Sequence, residues 1–236
     1  MQPYAQRGLH GQTVETLAHR VLSGQLPEGT TLDIVALRHE LGVSLTALRE
    51  SLKVLAAKGM VDARQRRGTF VRPRADWNLL DADVLRWQFK DRRDNGASPA
   101  LLRCLREVRS IVEPAAARLA ALRRTDVDLE ALDAALTAVK GRDGLVHTLK
   151  SDVAFHRALL AATHNELLER METMVALGLT LRDHGADAVP CEADRLAHQR
   201  AVLAAVRRRD PNAAERAMRL LLGGRAPGTD GLTEGD

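Results

Sequence analysis

Two short helices joined by only three residues constrain the fold of this chain most. Asp33 has the side chain of a helix N-cap, and the apolar pattern after it ends at Gly42, a residue suited to the left-handed conformation that terminates helices. Ser44 is the N-cap of the next helix, whose leucines at 48, 52 and 55 share one face. Two helices joined so tightly predict a helix-turn-helix.

The elements on either side extend this pair to a larger unit. Apolar residues recur at helical spacing from Gln12 to Ser23 and predict a helix before the pair. After it, Asp62–Arg74 predicts two short strands around Gly68, which permits a tight turn. Helix, helix-turn-helix and hairpin in this order indicate a winged helix over residues 10–74.

The rest of the chain is predicted to be helical. Residues 75–98 form a linker with a short helix at Leu80–Lys90, and Trp77 and Trp87 are expected to pack the two domains together. Two domains, an N-terminal winged helix and a C-terminal helical bundle, make the fold class mainly α.

The second predicted domain is a bundle of six or so helices over residues 99–222. Its first helix contains Pro114, which is expected to kink or split it. Its fourth helix is expected to run from Glu166 to Asp183. The Gly- and Thr-rich segment 223–236 is predicted to be a mobile tail.

Charge is distributed unevenly along the chain. Residues 1–74 hold 11 Lys and Arg against 6 Asp and Glu, whereas the other 162 residues hold 24 against 25. A compact basic region indicates a polyanionic partner, with a solvated basic surface as the simpler alternative. That region lacks the aromatic residues on which RNA bases stack, so double-stranded DNA is favoured over RNA.

Composition also limits the setting of the protein. No apolar run has the length of a membrane helix, and two cysteines cannot form a disulfide framework. A cytoplasmic protein without membrane partners is therefore expected.

The second helix of the predicted helix-turn-helix supplies candidate DNA contacts. Its N-terminal residues would reach base edges in the major groove. Arg49 can donate two parallel hydrogen bonds to a guanine, and Ser44 and Thr46 can position phosphates. The arginines of the wing would enter the adjacent minor groove. The expected DNA-binding set is Arg38, Ser44, Thr46, Arg49, Arg66, Arg67, Gly68 and Thr69.

One group in the helical domain has the spacing of a metal site. Asp152 and His156 lie four residues apart on a predicted helix, so they project from one face, and His198 on a later helix could close the site. A carboxylate and imidazoles suit Zn, Ni or Mn alike. A solvated or structural acid–histidine pair is the simpler alternative.

Residues 12–74 resemble the DNA-binding domain of the GntR family of bacterial transcription regulators. The resemblance rests on the stretches Leu41-Gly42-Val43-Ser44, Leu48-Arg49-Glu50-Ser51-Leu52, Gly59-Met60-Val61 and Arg67-Gly68-Thr69-Phe70-Val71. It implies a regulator of operator DNA, and two-fold operators imply a homodimer. The family commonly has arginine where this chain has Leu45 and proline where it has Ala47, so an operator preference does not carry over.

Residues 99–222 resemble the all-helical FCD effector domain of the FadR-type subgroup. The matching residues are Arg109, Ile111-Val112-Glu113-Pro114-Ala115-Ala116, Asp152-Val153-Ala154-Phe155-His156, His164-Asn165 and Leu196-Ala197-His198. The resemblance implies a divalent metal held by one Asp and three His beneath a pocket for a small carboxylic acid. Asp152, His156 and His198 match three ligand positions, and Leu221 stands where the fourth is usual.

The same resemblance implies an effector site. Arg109 would clamp a carboxylate with two parallel hydrogen bonds, and Asn165 and Arg182 are further candidates. The segment Arg74–Trp87 resembles the linker of GntR regulators of sugar-acid catabolism, of the galactonate-operon repressor type.

The expected function is a repressor of sugar-acid, aldonate-type, catabolic genes that a small carboxylate effector releases from DNA. Two alternatives stay open from the residues themselves. One is a metal-dependent hydrolase built on Asp152, His156 and His198. The other is an architectural DNA-binding protein without an effector.

Overall fold

The structure, a computed structural model, describes residues 8–90, 99–137, 145–182 and 192–223. The chain divides into two compact units, residues 1–98 and 99–236. Both are mainly helical, and the one sheet in the described residues is a two-stranded hairpin in the first unit. The mainly α fold class is therefore confirmed. No described helix is long and apolar enough to span a membrane.

The first unit has the element order of a winged helix. Its elements are α1 (Leu9–Leu22), α2 (Ile34–Leu41), α3 (Leu45–Ala57), β1 (Val61–Arg64), β2 (Gly68–Val71), a 3-10 turn (Arg74–Asp76) and α4 (Ala82–Lys90). The capping signals act as predicted. The carboxylate of Asp33 accepts hydrogen bonds from two backbone amides of α2, and the hydroxyl of Ser44 accepts one from the amide of Ala47. Gly42 ends α2 in the left-handed conformation with φ of 63°.

The hairpin forms the predicted wing. Its strands pair antiparallel, from Val61 opposite Val71 to Arg64 opposite Gly68. The turn requires left-handed backbone at Arg66, with φ of 67°, and at Gly68, with φ of 78°. Thr31 adds an isolated bridge to β2, which ties the base of the wing to the segment before α2.

Both tryptophans of the predicted linker lie in the apolar core of the first unit. Trp77 and Trp87 pack with apolar residues of α1, α3 and the hairpin. A buried ion pair holds the same segment: Nζ of Lys58, at the end of α3, lies 2.7 Å from Asp81 and 2.8 Å from Asp83. The described part of the predicted linker is thus an integral part of the first unit.

The second unit is built from helices alone in its described residues. They are α5 (Pro99–Arg123), α6 (Asp126–Thr137), α7 (Leu145–Ala161), α8 (Glu166–Arg170), α9 (Glu172–Arg182), α10 (Glu192–Arg207) and α11 (Pro211–Leu221). α5 contacts α7, α9, α10 and α11, which places it at the centre of the bundle. The main apolar core lies between α5, α6, α7, α10 and α11.

Two helix boundaries differ from the prediction. α5 is not split at Pro114. The proline forfeits one backbone hydrogen bond, but it is buried, and contacts of α5 with four other helices maintain the helix. The predicted helix from Glu166 to Asp183 is divided at Met171 into α8 and α9. The predicted tail lies outside the described residues from 224 onward.

Candidate functional site

The N-terminal turn of α3 is an exposed surface backed by an apolar core. Leu48, Leu52 and Leu55 are buried and hold the helix against the rest of the first unit. Arg49 and Thr46 point away from this core and are exposed. α3 therefore offers the predicted reading face to a partner and keeps its hydrophobic face inside.

Three exposed arginines of the first unit lack a side-chain partner among the described residues. Arg38 on α2, Arg49 on α3 and Arg66 at the wing tip make no side-chain hydrogen bond or ion pair with any residue that the structure describes. Other arginines of the same unit are paired, as Arg20 is with Glu40. Exposed guanidinium groups on α2, on α3 and at the wing tip provide positive charge to which phosphates are attracted.

The wing holds one of its arginines in place. The guanidinium carbon of Arg67 lies 3.6 Å from the centre of the Phe70 ring, and its Nη2 donates to the carbonyl of Gly29 at 3.2 Å. Thr69 is half-buried, and Gly68 provides the left-handed turn. Arg67 thus stabilises the wing as well as adding charge to it, whereas Arg66 is free to contact DNA.

The second unit has a very different candidate site, in which charged side chains lie inside the bundle. We call this set the core polar cluster. Its six members are all buried, come from α5, α7 and α10, and comprise Arg109, Glu113, Asp152, His156, Arg195 and Gln199. Burying charges is costly unless they are paired, and such sites are frequently functional.

One half of the core polar cluster joins α5 to α7. Arg109 donates to the carboxylate of Glu113, one helical turn away. Nδ1 of His156 lies 2.7 Å from Oε2 of the same carboxylate, within the distance of an ion pair. Burial raises the pKa of Glu113, but the charges of His156 and Arg109 outweigh this effect and lower it to about 2.

The other half joins α7 to α10. Nε2 of Gln199 donates to Oδ1 of Asp152 at 2.9 Å, and Nε of Arg195 lies 3.2 Å from Oδ2. His198, next to Gln199, is half-buried and makes no hydrogen bond or ion pair with any described residue. The structure therefore brings Asp152 against α10 but pairs it with Arg195 and Gln199 rather than with His198.

A close approach of α9 positions Arg109. A Cβ atom added at Gly178 would lie 2.5 Å from Cδ of Arg109. The side chain of the arginine therefore crosses α9 where only glycine leaves room for it. Neither Gly178 nor the residues Glu113, Arg195 and Gln199 were among the predicted site residues.

The other two predicted effector residues have different outcomes. Oδ1 of Asn165 accepts hydrogen bonds from the amides of Leu167 and Leu168, so this residue is the N-cap of α8. The side chain of Arg182 lies outside the described residues.

Comparisons with known proteins agree with the two units of the fold. The family model "Bacterial regulatory proteins, gntR family" matches residues 9–71, and the FCD domain model matches residues 104–224. The galactonate operon transcriptional repressor of Escherichia coli K12 is 34% identical over 69% of this chain and 70% of its own length. The chain belongs to the GntR family of bacterial regulatory proteins.

Two further relatives extend the comparison. The GntR-type chain is 34% identical to the HTH-type transcriptional regulator LutR of Bacillus subtilis, over 66% of this chain and 68% of that protein. The solved structure of Lar, which controls the expression of the Listeria monocytogenes agr system, covers 92% of this chain and 94% of its own. Its TM-score is 0.59 at 17% identity, so it supports the fold alone.

Membership of the GntR family makes this chain a transcription regulator with an FCD domain. These families and relatives are regulators and not enzymes, so the metal-dependent hydrolase alternative was wrong. The DNA-binding function expected from the winged helix agrees with the family, which binds DNA operators.

The core polar cluster does not fit the predicted metal site as it stands. His156 by itself suits a metal ligand, because a carboxylate beside Nδ1 leaves Nε2 for another group. Asp152, however, is engaged by a guanidinium and an amide, and Leu221 lies in the apolar core. Within the described ranges no three His, Cys, Asp or Glu side chains are placed to hold an ion. The metal stays a prediction.

Proposed function

We propose that this GntR regulator is a homodimeric repressor of genes for sugar-acid catabolism and that a small carboxylate effector releases it from its operator. The observation that supports DNA binding is the set of three exposed arginines, Arg38 on α2, Arg49 on α3 and Arg66 at the wing tip, whose side chains pair with none of the described residues. Two copies of this surface would contact two half-sites one turn of DNA apart.

The effector half rests on the buried guanidinium of Arg109. A carboxylate effector offers Arg109 the same two-oxygen acceptor that Glu113 offers in the structure, so exchange of partners requires no new type of interaction. The similarity to the galactonate operon transcriptional repressor supports a sugar acid as the effector class. The effector releases the operator only if it has a higher affinity for the form of the protein that is not bound to DNA than for the DNA-bound form.

Fluorescence anisotropy tests both halves with the full chain. A DNA duplex is first selected by the protein from a random library, and D-galactonate is then added to the complex at constant ionic strength. We expect selection of a two-fold symmetric site and dissociation by D-galactonate, but not by an equal concentration of sodium chloride. Failure to select any sequence would overturn the proposal, and a complex that resists a panel of sugar acids would overturn the effector class.

Thermal unfolding separates the proposal from an architectural protein without an effector. A ligand that binds only the folded protein raises the unfolding temperature. D-galactonate should therefore stabilise the wild type, and the effect should be lost in Arg109→Gln. Arg200→Gln is the matched control, because Arg200 is exposed on α10 and has no partner among the described residues.

A further inference from the structure

We propose that Arg195 takes the place of a divalent cation in the helical unit of this regulator. Its guanidinium and the amide of Gln199 balance the buried carboxylate of Asp152, so that the unit folds without a metal ion. The inference rests on the proposed function in one respect, since it makes arginine side chains the positive groups that meet an anionic effector.

The charge balance of Asp152 carries the argument. This carboxylate is only 3% exposed and therefore needs a positive partner inside the protein. Arg195, itself 9% exposed, lies on one oxygen, and Gln199 donates to the other. Arginine stays protonated and has no lone pair to offer. It therefore balances the charge of the carboxylate but cannot itself coordinate a metal ion.

The register of α10 explains why this pairing excludes an ion. Residues 195 and 199 are four apart and lie on one face, which is the face that meets Asp152 on α7. A divalent ion on the same carboxylate would lie beside a buried guanidinium, and the repulsion between the two positive charges is strong where water is absent. Only displacement of Arg195 would open the position.

Two matched arginine–carboxylate pairs then define the polar interior of the unit. Arg109 pairs with Glu113 and Arg195 pairs with Asp152. Each guanidinium has five N–H donors in a planar fork, more than its carboxylate partner uses here. A carboxylate effector would meet these guanidinium groups and, at Arg109, would compete with Glu113 for the same donors.

Metal content tests the inference directly. The full chain is purified without an affinity tag or chelator, incubated separately with Zn²⁺, Ni²⁺ or Mn²⁺, dialysed, and measured by inductively coupled plasma mass spectrometry. We expect far less than one equivalent of each metal per chain and the same unfolding temperature with and without EDTA. A content near one equivalent, with a fall in unfolding temperature in EDTA, would overturn it.

Variants test the pair itself. In EDTA, Asp152→Asn and Arg195→Gln should each lower the unfolding temperature by about 10 °C, because each leaves a buried group without its partner. The double variant should lose less than the sum of the two, whereas Arg200→Gln on the same helix should change nothing. An unchanged unfolding temperature of Asp152→Asn in EDTA would contradict the pairing.

The outcomes of these experiments distinguish the inference from the proposed function. If a single variant fails to fold, the metal content of the wild type still decides. A metal-loaded protein that responds to D-galactonate would overturn the role of Arg195 and leave the proposed function intact. A metal-free protein that binds no operator would overturn the proposed function and leave the role of Arg195 intact.

Discussion

The two units of this regulator treat their candidate functional charges in opposite ways. The winged helix exposes Arg38, Arg49 and Arg66, whose side chains pair with no residue that the structure describes. The helical unit buries Arg109 and Arg195 and pairs each with a carboxylate. The difference matches the partners proposed for them: a large polyanion at the surface and a small anion inside.

The contrast teaches how each unit avoids an unfavourable charge. At the surface, water solvates a free guanidinium until DNA replaces the water, so no internal partner is needed. In the bundle, an unpaired guanidinium would destabilise the fold. A carboxylate of the protein therefore pairs with it until the carboxylate of an effector competes for the same guanidinium. Four predictions test this contrast.

The largest effect is expected from Glu113→Ala. The change leaves Arg109 buried and without its carboxylate, so unfolding of the helical unit should become easier by about 3–5 kcal/mol. Chemical denaturation of the full chain measures it. The control is Glu172→Ala, which removes an exposed partner of Arg157 and should cost at most about 1 kcal/mol. Equal losses of stability in the two variants would contradict the inference that a buried guanidinium depends on its carboxylate more than an exposed one does.

In contrast to Glu113→Ala, Arg49→Ala should lower the affinity for DNA and leave the stability of the protein nearly unchanged. Without its base contact the protein should bind the selected duplex more weakly by about 1–3 kcal/mol, whereas its stability should stay within about 0.5 kcal/mol of wild type. Anisotropy and denaturation together measure the two quantities. Arg200→Ala should leave both unchanged, and normal affinity in Arg49→Ala would show that α3 does not read DNA through this residue.

Ser44 separates capping from phosphate contact at one position. Ser44→Ala loses the hydrogen bond to the amide of Ala47 and should destabilise the first unit by about 1 kcal/mol. Ser44→Asp keeps a capping oxygen and should keep the stability, yet its negative charge should weaken DNA binding. Normal DNA affinity in Ser44→Asp would place this residue away from the phosphates.

The smallest effect concerns Asp128 at the start of α6. Burial raises the pKa of Asp128, but hydrogen bonds from Thr125 and contact with His164 outweigh it, so the pKa lies below its ordinary 3.8. A carboxyl whose pKa is lower in the folded state stabilises at pH values above its ordinary pKa and ceases to do so as pH falls.

Asp128→Asn should therefore cost at most about 1 kcal/mol at neutral pH, and the difference from wild type should shrink below about pH 4. Denaturation at a series of pH values measures it. Asp126→Asn is the control, since its side chain is almost fully exposed and should show a smaller change. A difference that grows with acidity would contradict the assignment.

The sequence predicted the elements of the winged helix more completely than the contacts of the core polar cluster. Asp33, Gly42 and Ser44 act on their own and the next few residues, so their roles follow from the local order of the chain. The structure buries Arg109, Asp152 and His156, but their partners in the core polar cluster were not among the predicted site residues. The signal for Arg195 and Gln199 was weak: two polar residues four apart on a helix, a spacing that surface helices share.

Sequence alone determined the helices, their caps, the wing and the division of charge between the two halves, because these depend on interactions within a few residues. Tertiary structure alone decided that α5 runs unbroken through Pro114, that Trp77 and Trp87 fill the core of the first unit, and that Asp152 faces Arg195 rather than His198. Each of these outcomes depends on how helices far apart in sequence align, and a rotation of one helix by a single residue would pair different side chains.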